Sequence, residues 1–174
     1  MRLTNEKFSD LFDSYQRSAF RLEVLQTYTI PDEQPHLQAF LAGQAMPAGH
    51  NADWHQEVAA NIAAGKTIQR AKVMNRPLTD YLRYQCAWSI PGNIAAGEDY
   101  QIIDTTDVSL AELGLPEQDF WLFDQEKVVQ LNYEPDGSFT HAEIVDDPDL
   151  NQYLRWRDIA LKHGISFNEW NVGA

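Results

Sequence analysis

The sequence has little cysteine, few basic residues and no long apolar run, and each shortage excludes a class of protein. Cys86 is the only cysteine among 174 residues, so neither an internal disulfide nor a cysteine-rich zinc site is possible. No apolar run approaches the roughly 20 residues that cross a bilayer, and the N-terminus, MRLTNEKFSD, lacks the apolar core of a signal peptide. We therefore expect a cytoplasmic protein in a reducing compartment, with no membrane partner.

Basic residues are outnumbered by acidic ones. The chain has 13 Lys and Arg residues against 26 Asp and Glu residues, which gives a formal net charge of −13. Such a chain repels phosphate backbones at long range, so we expect no nucleic-acid partner.

The charge is distributed unevenly along the sequence. Residues 98–150 hold fifteen acids and one base, Lys127, whereas residues 66–84 hold five bases and one acid, Asp80. One interpretation is that the acids are solvated strand ends and turns. The other is a bipolar molecule whose basic strand and helix face a cleft or a partner.

Apolar periodicity predicts a mixed fold. Hydrophobic residues make up 44% of the chain and aromatic residues 11%, enough for a core. Within residues 5–28, the patterns predict one or two helices followed by an extended piece, with a strand in 19–28. Further helices are predicted at 35–41, 54–64 (capped by Asp53), 78–89 and 107–113, and a last one, capped by Asp147 or Asp149, up to about His163. Further strands are predicted at 66–74, 100–104, 119–124, 127–133 and 138–145. This order predicts an α/β fold, with α+β possible, built on one mixed sheet of about 5–6 strands with flanking helices, a C-terminal β-meander and a closing helix.

No composition shift or linker divides the chain. We predict one globular domain over residues 1–174, with an N-terminal helical and extended segment (1–43), a sheet-containing core (54–163) and a tail (164–174). In the tail, Trp170 has no periodic context, so it is expected to dock on a surface groove or to be exposed.

Several short motifs recur together in a known family. SAFRLE (18–23), RPLTDYLRYQ (76–85), AAGED (95–99) and DFWLFD (119–124) resemble segments of small actinobacterial proteins described only as a domain of unknown function. Members of that family are often encoded beside helix-turn-helix regulators, and the likeness covers roughly residues 8–162. The resemblance implies an α/β fold and a regulatory setting in a biosynthetic cluster, and it implies no activity.

The predicted strand order is also similar to one half of the phospholipase-D-like fold. The catalytic signature of that fold is His-x-Lys followed by Asp, and the nearest match in this chain is His141-Ala142-Glu143. Glu143 reverses the charge of the lysine that clamps phosphate, so the resemblance implies a half-fold without phosphodiesterase activity.

Candidate metal ligands and nucleophiles are sparse. His50 and His55 flank Asp53, and with Glu57 as a third ligand they could hold a metal; the alternative is that they are solvent-exposed loop histidines. Cys86 lies in a predicted helix among aromatic residues, which favours a buried structural thiol over a nucleophile. We predict no metal and no cofactor.

The candidate binding site combines aromatic residues, arginines and strand-end acids. The strand at DFWLFD is apolar on both faces, so it is central, and an acid at the end of such a strand is a common position for site residues. We predict a ligand-binding cleft shaped by Arg70, Tyr81, Arg83 and Trp121 and oriented by Glu23, Asp124 and Glu143. The sequence identifies no catalytic residue.

Three functions are compatible with these features. The first is a non-catalytic regulatory or interaction module that binds a small molecule or a partner protein through this aromatic and arginine-containing cleft. The second is a small enzyme of specialised metabolism that uses a carboxylate or a histidine as acid or base. Direct DNA binding ranks last, because of the net charge of −13 and the lack of a basic helix-turn-helix.

Overall fold

A seven-stranded mixed sheet lies at the centre of the computed structural model, which describes residues 1–172. Its strands are β1 (Ser18–Glu23), β2 (Thr67–Met74), β3 (Asp99–Asp104), β4 (Asp119–Phe123), β5 (Lys127–Tyr133), β6 (Phe139–Ile144) and β7 (Ile165–Ser166). The predicted α/β class with one mixed sheet and a C-terminal meander is confirmed. The strand count is slightly higher than predicted, since the two-residue β7 lies in a tail whose sequence has no strand pattern.

The strands are ordered β6-β5-β4-β1-β2-β3-β7. β1, β2 and β3 run parallel, and the antiparallel meander β4–β6 joins the sheet along the other edge of β1. β7 pairs antiparallel with β3. The sheet therefore extends beyond residues 54–163 at both ends, and the strand from the N-terminal segment is a central one.

Eight α-helices flank the sheet within the described residues: α1 (Asn5–Ser14), α2 (Gln34–Leu41), α3 (Ala52–Ala63), α4 (Asp80–Tyr84), α5 (Ile90–Ala96), α6 (Leu110–Leu113), α7 (Leu150–His163) and α8 (Phe167–Val172). The side chain of Asp149 caps α7 by accepting a hydrogen bond from the Gln152 amide. The predicted cap of α3 is wrong: Asn51, in the left-handed region at φ 57°, precedes the helix, and Asp53 lies in its first turn. No helix in residues 1–172 has both the length and the apolar character that crossing a membrane requires.

The helix predicted over residues 78–89 is longer and less regular than its sequence pattern indicates. It begins at Asp80, because the Thr79 side chain caps the first turn by accepting from the Leu82 amide. A π-helical turn (Gln85–Ser89) then connects α4 to α5, which extends to Ala96. Pro91, in the first turn of α5, has no N–H to donate to the preceding turn, which favours the irregular hydrogen bonding there.

One face of the sheet packs against α7 through a continuous apolar cluster. Phe20, Leu22, Phe120 and Leu122 lie in this cluster, and each is at most 3% exposed. Burying side chains of this size contributes about 1.5–3 kcal/mol each. All five residues of β4 are buried, which confirms that this strand is central and covered on both faces.

The opposite face carries two separate apolar clusters. One surrounds α1, α3 and Trp121, and the other surrounds α4, the π-helical turn and Tyr28. Four charged side chains of β1 and β2 lie on this same face, namely Arg21, Glu23, Arg70 and Lys72. We call them the charged band.

The tail closes the sheet edge beside β3. Trp170 is 6% exposed, and its indole Nε1–H donates a hydrogen bond of 2.8 Å to Asp104 Oδ2. The Arg76 guanidinium lies 4.4 Å from the centre of the Trp170 ring. Of the two predicted positions for Trp170, docking in a groove is the one observed.

Candidate functional site

A cavity of about 360 Å³ opens over the charged band. Residues of both apolar clusters meet there, with Phe8, Phe12, Trp54 and Trp121 on one side and Tyr28, Ile30, Tyr81 and Tyr100 on the other. Arg21, Glu23, Arg70, Glu33, Gln85, Ser89 and Tyr133 are also among its lining residues. The volume suits a small organic molecule.

The parallel register of β1 and β2 brings the charged band together. Side chains alternate between the two faces of a strand, so Arg21 and Glu23 share a face, opposite Phe20 and Leu22. In the pairing, Arg21 lies beside Arg70 and Glu23 beside Lys72. Each strand thus contributes two charges to the face that lines the cavity.

Glu23 is the centre of a buried ion-pair network. Its Oε1 lies 3.2 Å from Arg21 Nε and 3.3 Å from Arg70 Nη1, and its Oε2 lies 3.4 Å from Lys72 Nζ. Burial alone would raise the pKa of Glu23, but the positive charges of Lys72, Arg21 and Arg70 outweigh it and hold that pKa well below its ordinary value. Glu23 is therefore a carboxylate at neutral pH.

Two further buried acids complete the network. Arg70 Nη2 donates to Glu98 Oε1 at 2.9 Å, and Arg21 Nη2 donates to Asp119 Oδ2 at 3.1 Å. Asp119 also accepts from the Tyr28 hydroxyl at 2.8 Å and from the Val24 amide at 2.9 Å. Burial raises the pKa of Asp119, and Arg21 offsets only part of that effect.

Aromatic rings surround the cations of the band. The Arg70 guanidinium carbon lies 5.3 to 5.7 Å from the ring centres of Trp121, Tyr100 and Trp54. Lys72 Nζ lies 4.8 Å from the ring centre of Tyr28. These cation–π contacts and the carboxylates together compensate for the removal of the charges from water.

Glu33 differs from the other acids of the cavity. In the described residues, no Lys, Arg or His nitrogen lies within 4 Å of its carboxylate oxygens. The Tyr81 hydroxyl donates to Glu33 Oε2 at 2.9 Å. Burial raises the pKa of Glu33, and the hydrogen bond from Tyr81 opposes that effect only in part.

Several buried polar atoms at the cavity have no hydrogen-bond partner in residues 1–172. They include the indole Nε1 of Trp121, Nε of Arg70, Nε2 of Gln85 and, nearby, Oε2 of Glu98. Buried polar groups are normally paired, so unpaired ones that cluster around one cavity indicate a place where a ligand or ordered water completes the bonding.

The structure brings together four of the seven predicted site residues. Glu23, Arg70, Tyr81 and Trp121 line the cavity. They lie in β1, β2, α4 and β4. The sequence indicated them through its aromatic residues, its arginines and its strand-end acids. Their role in binding a ligand stays a prediction.

The other three predicted site residues lie outside the cavity lining. Arg83 is exposed and paired with Asp80 one turn earlier. Asp124 accepts hydrogen bonds from the amides of Gln16, Arg17 and Ser18. Burial alone would raise the pKa of Asp124, but these hydrogen bonds and the charge of Arg17 together outweigh burial and lower the pKa. Glu143 is on β6, where its Oε2 lies 3.9 Å from His141 Nε2.

Sequence analysis missed three residues of the site: two lie next to regular elements, and one lies in a strand that was itself predicted. Glu33 follows Pro31 in a short 3₁₀ turn, and Glu98 precedes β3. Arg21 had a signal, because Arg21 and Glu23 alternate with apolar residues in a predicted strand. A pair of opposite charges on one face of a buried strand predicts a buried ion pair.

The histidines are engaged in side-chain hydrogen bonds. His50 is buried, with Nε2 3.2 Å from Ser89 Oγ, and His55 Nε2 lies 3.0 Å from Asn93 Oδ1. The interpretation of exposed loop histidines is therefore wrong, since both connect the start of α3 to the π-helical turn and α5. Over residues 1–172, no group of three or more His, Cys, Asp or Glu side chains is arranged to hold a metal ion.

Cys86 is half-buried in the π-helical turn. Its Sγ lies 3.9 Å from Met74 Sδ, and burial raises its pKa to about 11, with Lys72 and Arg76 opposing the shift. The thiol is therefore protonated at neutral pH, which is the behaviour of a structural cysteine rather than a nucleophile.

Comparison with known proteins identifies a family without an assigned activity. Residues 6–172 match the family model described as "Domain of unknown function (DUF6879)". No curated protein matches the chain.

Proposed function

The chain belongs to the DUF6879 family, whose description states no activity, and we propose that this member is a non-catalytic module that binds a small molecule in the cavity over the charged band. The observation that carries the proposal is the cavity itself, with its aromatic walls, buried ion pairs and unpaired polar atoms. A cavity of this size with a few convergent polar groups is the usual form of a ligand site.

The arrangement of charge supports binding rather than catalysis. Arg21, Arg70 and Lys72 all form ion pairs with carboxylates, so none of them is free to stabilise negative charge that develops on a substrate. Cys86 is a protonated thiol, and His50 and His55 are bonded to neutral side chains. A regulatory role in the cytoplasm belongs to this proposal, together with the actinobacterial source and neighbouring regulator gene that the resemblance implies.

One observation favours the alternative of an acid–base enzyme. Glu33 and Asp119 are carboxyl groups whose pKa values are raised by burial, and Glu33 lines the cavity. Raised carboxyl pKa values are common among catalytic acids. This alternative would be favoured if NMR spectra showed that a bound compound is chemically converted by the protein.

Binding at the cavity can be tested through the indole resonances of the protein. Titration with 4-ethylphenol, a neutral aromatic probe, is expected to shift the signals of Trp54 and Trp121, which line the cavity. Trp156 and Trp170 do not line the cavity and serve as internal controls. Uniform shifts of all indoles, or none, would count against the proposal.

Two variants locate the binding further. Ile30→Phe adds a ring at the cavity wall and is expected to weaken the probe's affinity severalfold, because the space is finite. Arg83→Ala removes an exposed side chain outside the cavity lining and is expected to leave the affinity unchanged. Loss of binding in Arg83→Ala would instead support the cleft predicted from the sequence.

A further inference from the structure

One acidic side chain at the cavity, Glu33, lies outside the ion-pair network of the charged band. Arg21, Arg70 and Lys72 form ion pairs with Glu23, Glu98 and Asp119, so three cations face three acids. Of the two acids that line the cavity, Glu23 belongs to this network, whereas Glu33 forms no ion pair with any of the described residues.

Glu33 is placed where a ligand can reach it. Its Oε2 accepts from Tyr81, and its residue is only partly covered, on the 3₁₀ turn at the cavity wall. Its carboxylate is thus presented beside the rings of Tyr81 and Tyr28, whose centres are 5.8 Å apart. A carboxylate among aromatic rings is the environment that protein sites offer to organic cations.

An anionic ligand fits this cavity poorly. The Arg70 guanidinium lines the cavity, but it is already paired with Glu23 and Glu98. A carboxylate or phosphate would have to enter beside Glu23 and Glu33, and it would have to compete with Glu23 and Glu98 for Arg70. A cation meets the opposite situation, since it would supply the partner that Glu33 lacks.

We propose that the cavity binds a small organic amine, whose protonated nitrogen pairs with Glu33 while its apolar part contacts the aromatic walls. The unpaired Trp121 indole N–H, on a residue that is 2% exposed and lines the cavity, is a second and independent feature. It calls for a hydrogen-bond acceptor, such as a hydroxyl or carbonyl oxygen, at the other end of the amine. This inference rests on the proposed binding function and names the class of its ligand.

The test uses three probes of similar size that differ in charge: tyramine is a cation, 4-ethylphenol is neutral and 4-hydroxyphenylacetate is an anion. Each is titrated against the whole protein at pH 7, with the Trp54 and Trp121 indole resonances as the signal. We expect tyramine to bind at least about tenfold more tightly than 4-ethylphenol and the anion to bind most weakly.

Two matched variants assign the selectivity to Glu33. Glu33→Gln keeps the size and the acceptor for Tyr81 but removes the charge, so it is expected to abolish the preference for tyramine and to leave 4-ethylphenol affinity within about twofold. Asp32→Asn neutralises the adjacent exposed acid and is expected to keep the preference.

The outcomes separate this inference from the proposed function. Equal affinity for tyramine and 4-ethylphenol, preference for the anion, or a preference for tyramine that survives in Glu33→Gln would overturn the amine inference while the binding function stands. Failure of all three probes to shift the cavity indoles in the folded protein would overturn both.

Discussion

Glu33 is the residue at which stability and the proposed function oppose each other. A partly buried carboxylate without an ion-pair partner is unfavourable, because the hydrogen bond from Tyr81 and the more distant charges of Lys72 and Arg70 compensate only in part for its lost solvation. Sites that serve function often carry such locally destabilising groups. If Glu33 serves a ligand, then removing its charge should stabilise the empty protein.

Glu33→Gln is therefore expected to raise the melting temperature at pH 7, by about 2 °C for a domain of this size. The raised pKa means that folded Glu33 keeps its proton at pH values where the unfolded chain has lost it. Its unfavourable effect thus grows as the pH rises from its ordinary pKa through the raised value, and it is absent at lower pH.

The measurement is thermal unfolding of the wild type and Glu33→Gln between pH 7 and about pH 4, near the ordinary pKa of glutamate. The difference in melting temperature should shrink toward zero at the acidic end. Asp32→Asn, in the same turn but exposed, should leave the melting temperature nearly unchanged. A lower melting temperature for Glu33→Gln at pH 7 would mean that the carboxylate supports the fold.

At the scale of elements, β1 and β2 show what one sequence can and cannot predict. Both strands were predictable, because apolar residues such as Phe20 and Leu22 alternate with charged ones. The neighbour of each strand was not, since β1 and β2 are separated by α2 and α3 and pair through long-range contacts. Register decides that Glu23 meets Lys72, and no local pattern encodes it.

The remaining differences between the predicted site and the observed cavity lining arise at short or irregular elements. Glu33 and Glu98 flank regular elements, so periodicity gives them no assigned face. The π-helical turn places Gln85 and Ser89 at the cavity, although their spacing is ordinary for an α-helix. Four of the seven predicted site residues line the cavity because β1, β2, β4 and α4 direct them there. Arg83, on the exposed side of α4, and Asp124, after the end of β4, serve a local ion pair and local hydrogen bonds instead.

The junction of β1 and β2 depends on Glu23. Replacing it by glutamine removes the one carboxylate that contacts Arg21, Arg70 and Lys72, which leaves buried positive charge uncompensated. Glu23→Gln is expected to lower the free energy of unfolding by about 3–5 kcal/mol, as when one partner of a buried pair is lost. Glu126→Gln, which breaks the exposed pair with Arg17, should cost less than about 1 kcal/mol.

Urea unfolding of both variants at pH 7 measures these changes. Since the pKa of Glu23 is depressed in the folded state, its contribution is present above its ordinary pKa and is lost as the pH falls through the depressed value. The stability deficit of Glu23→Gln should therefore narrow only in strong acid. A deficit as small as that of Glu126→Gln would show that the buried network contributes little net stability.

At the scale of the molecule, the basic segment at residues 66–84 is not a basic surface. Arg70 and Lys72 are buried in the charged band, and Arg83 is paired with Asp80. Arg76 stacks on Trp170 beside Asp104. Two of the five bases that gave the sequence its bipolar appearance are thus used inside the fold, and Arg76 and Arg83 are engaged in contacts at the surface. Over the whole chain, acids outnumber bases by 26 to 13.

This distribution gives a sharp expectation for nucleic acid. Because Arg70 and Lys72 are buried in ion pairs, Arg83 is paired with Asp80 and the net charge is −13, a fluorescently labelled DNA duplex should show no saturable rise in anisotropy even at about 50 mM salt, where phosphate contacts are strongest. Arg83→Ala, which removes an exposed base, should behave like the wild type. Binding that weakens steeply with salt, and weakens further in Arg83→Ala, would reveal a basic surface and would restore DNA recognition as a function of the chain.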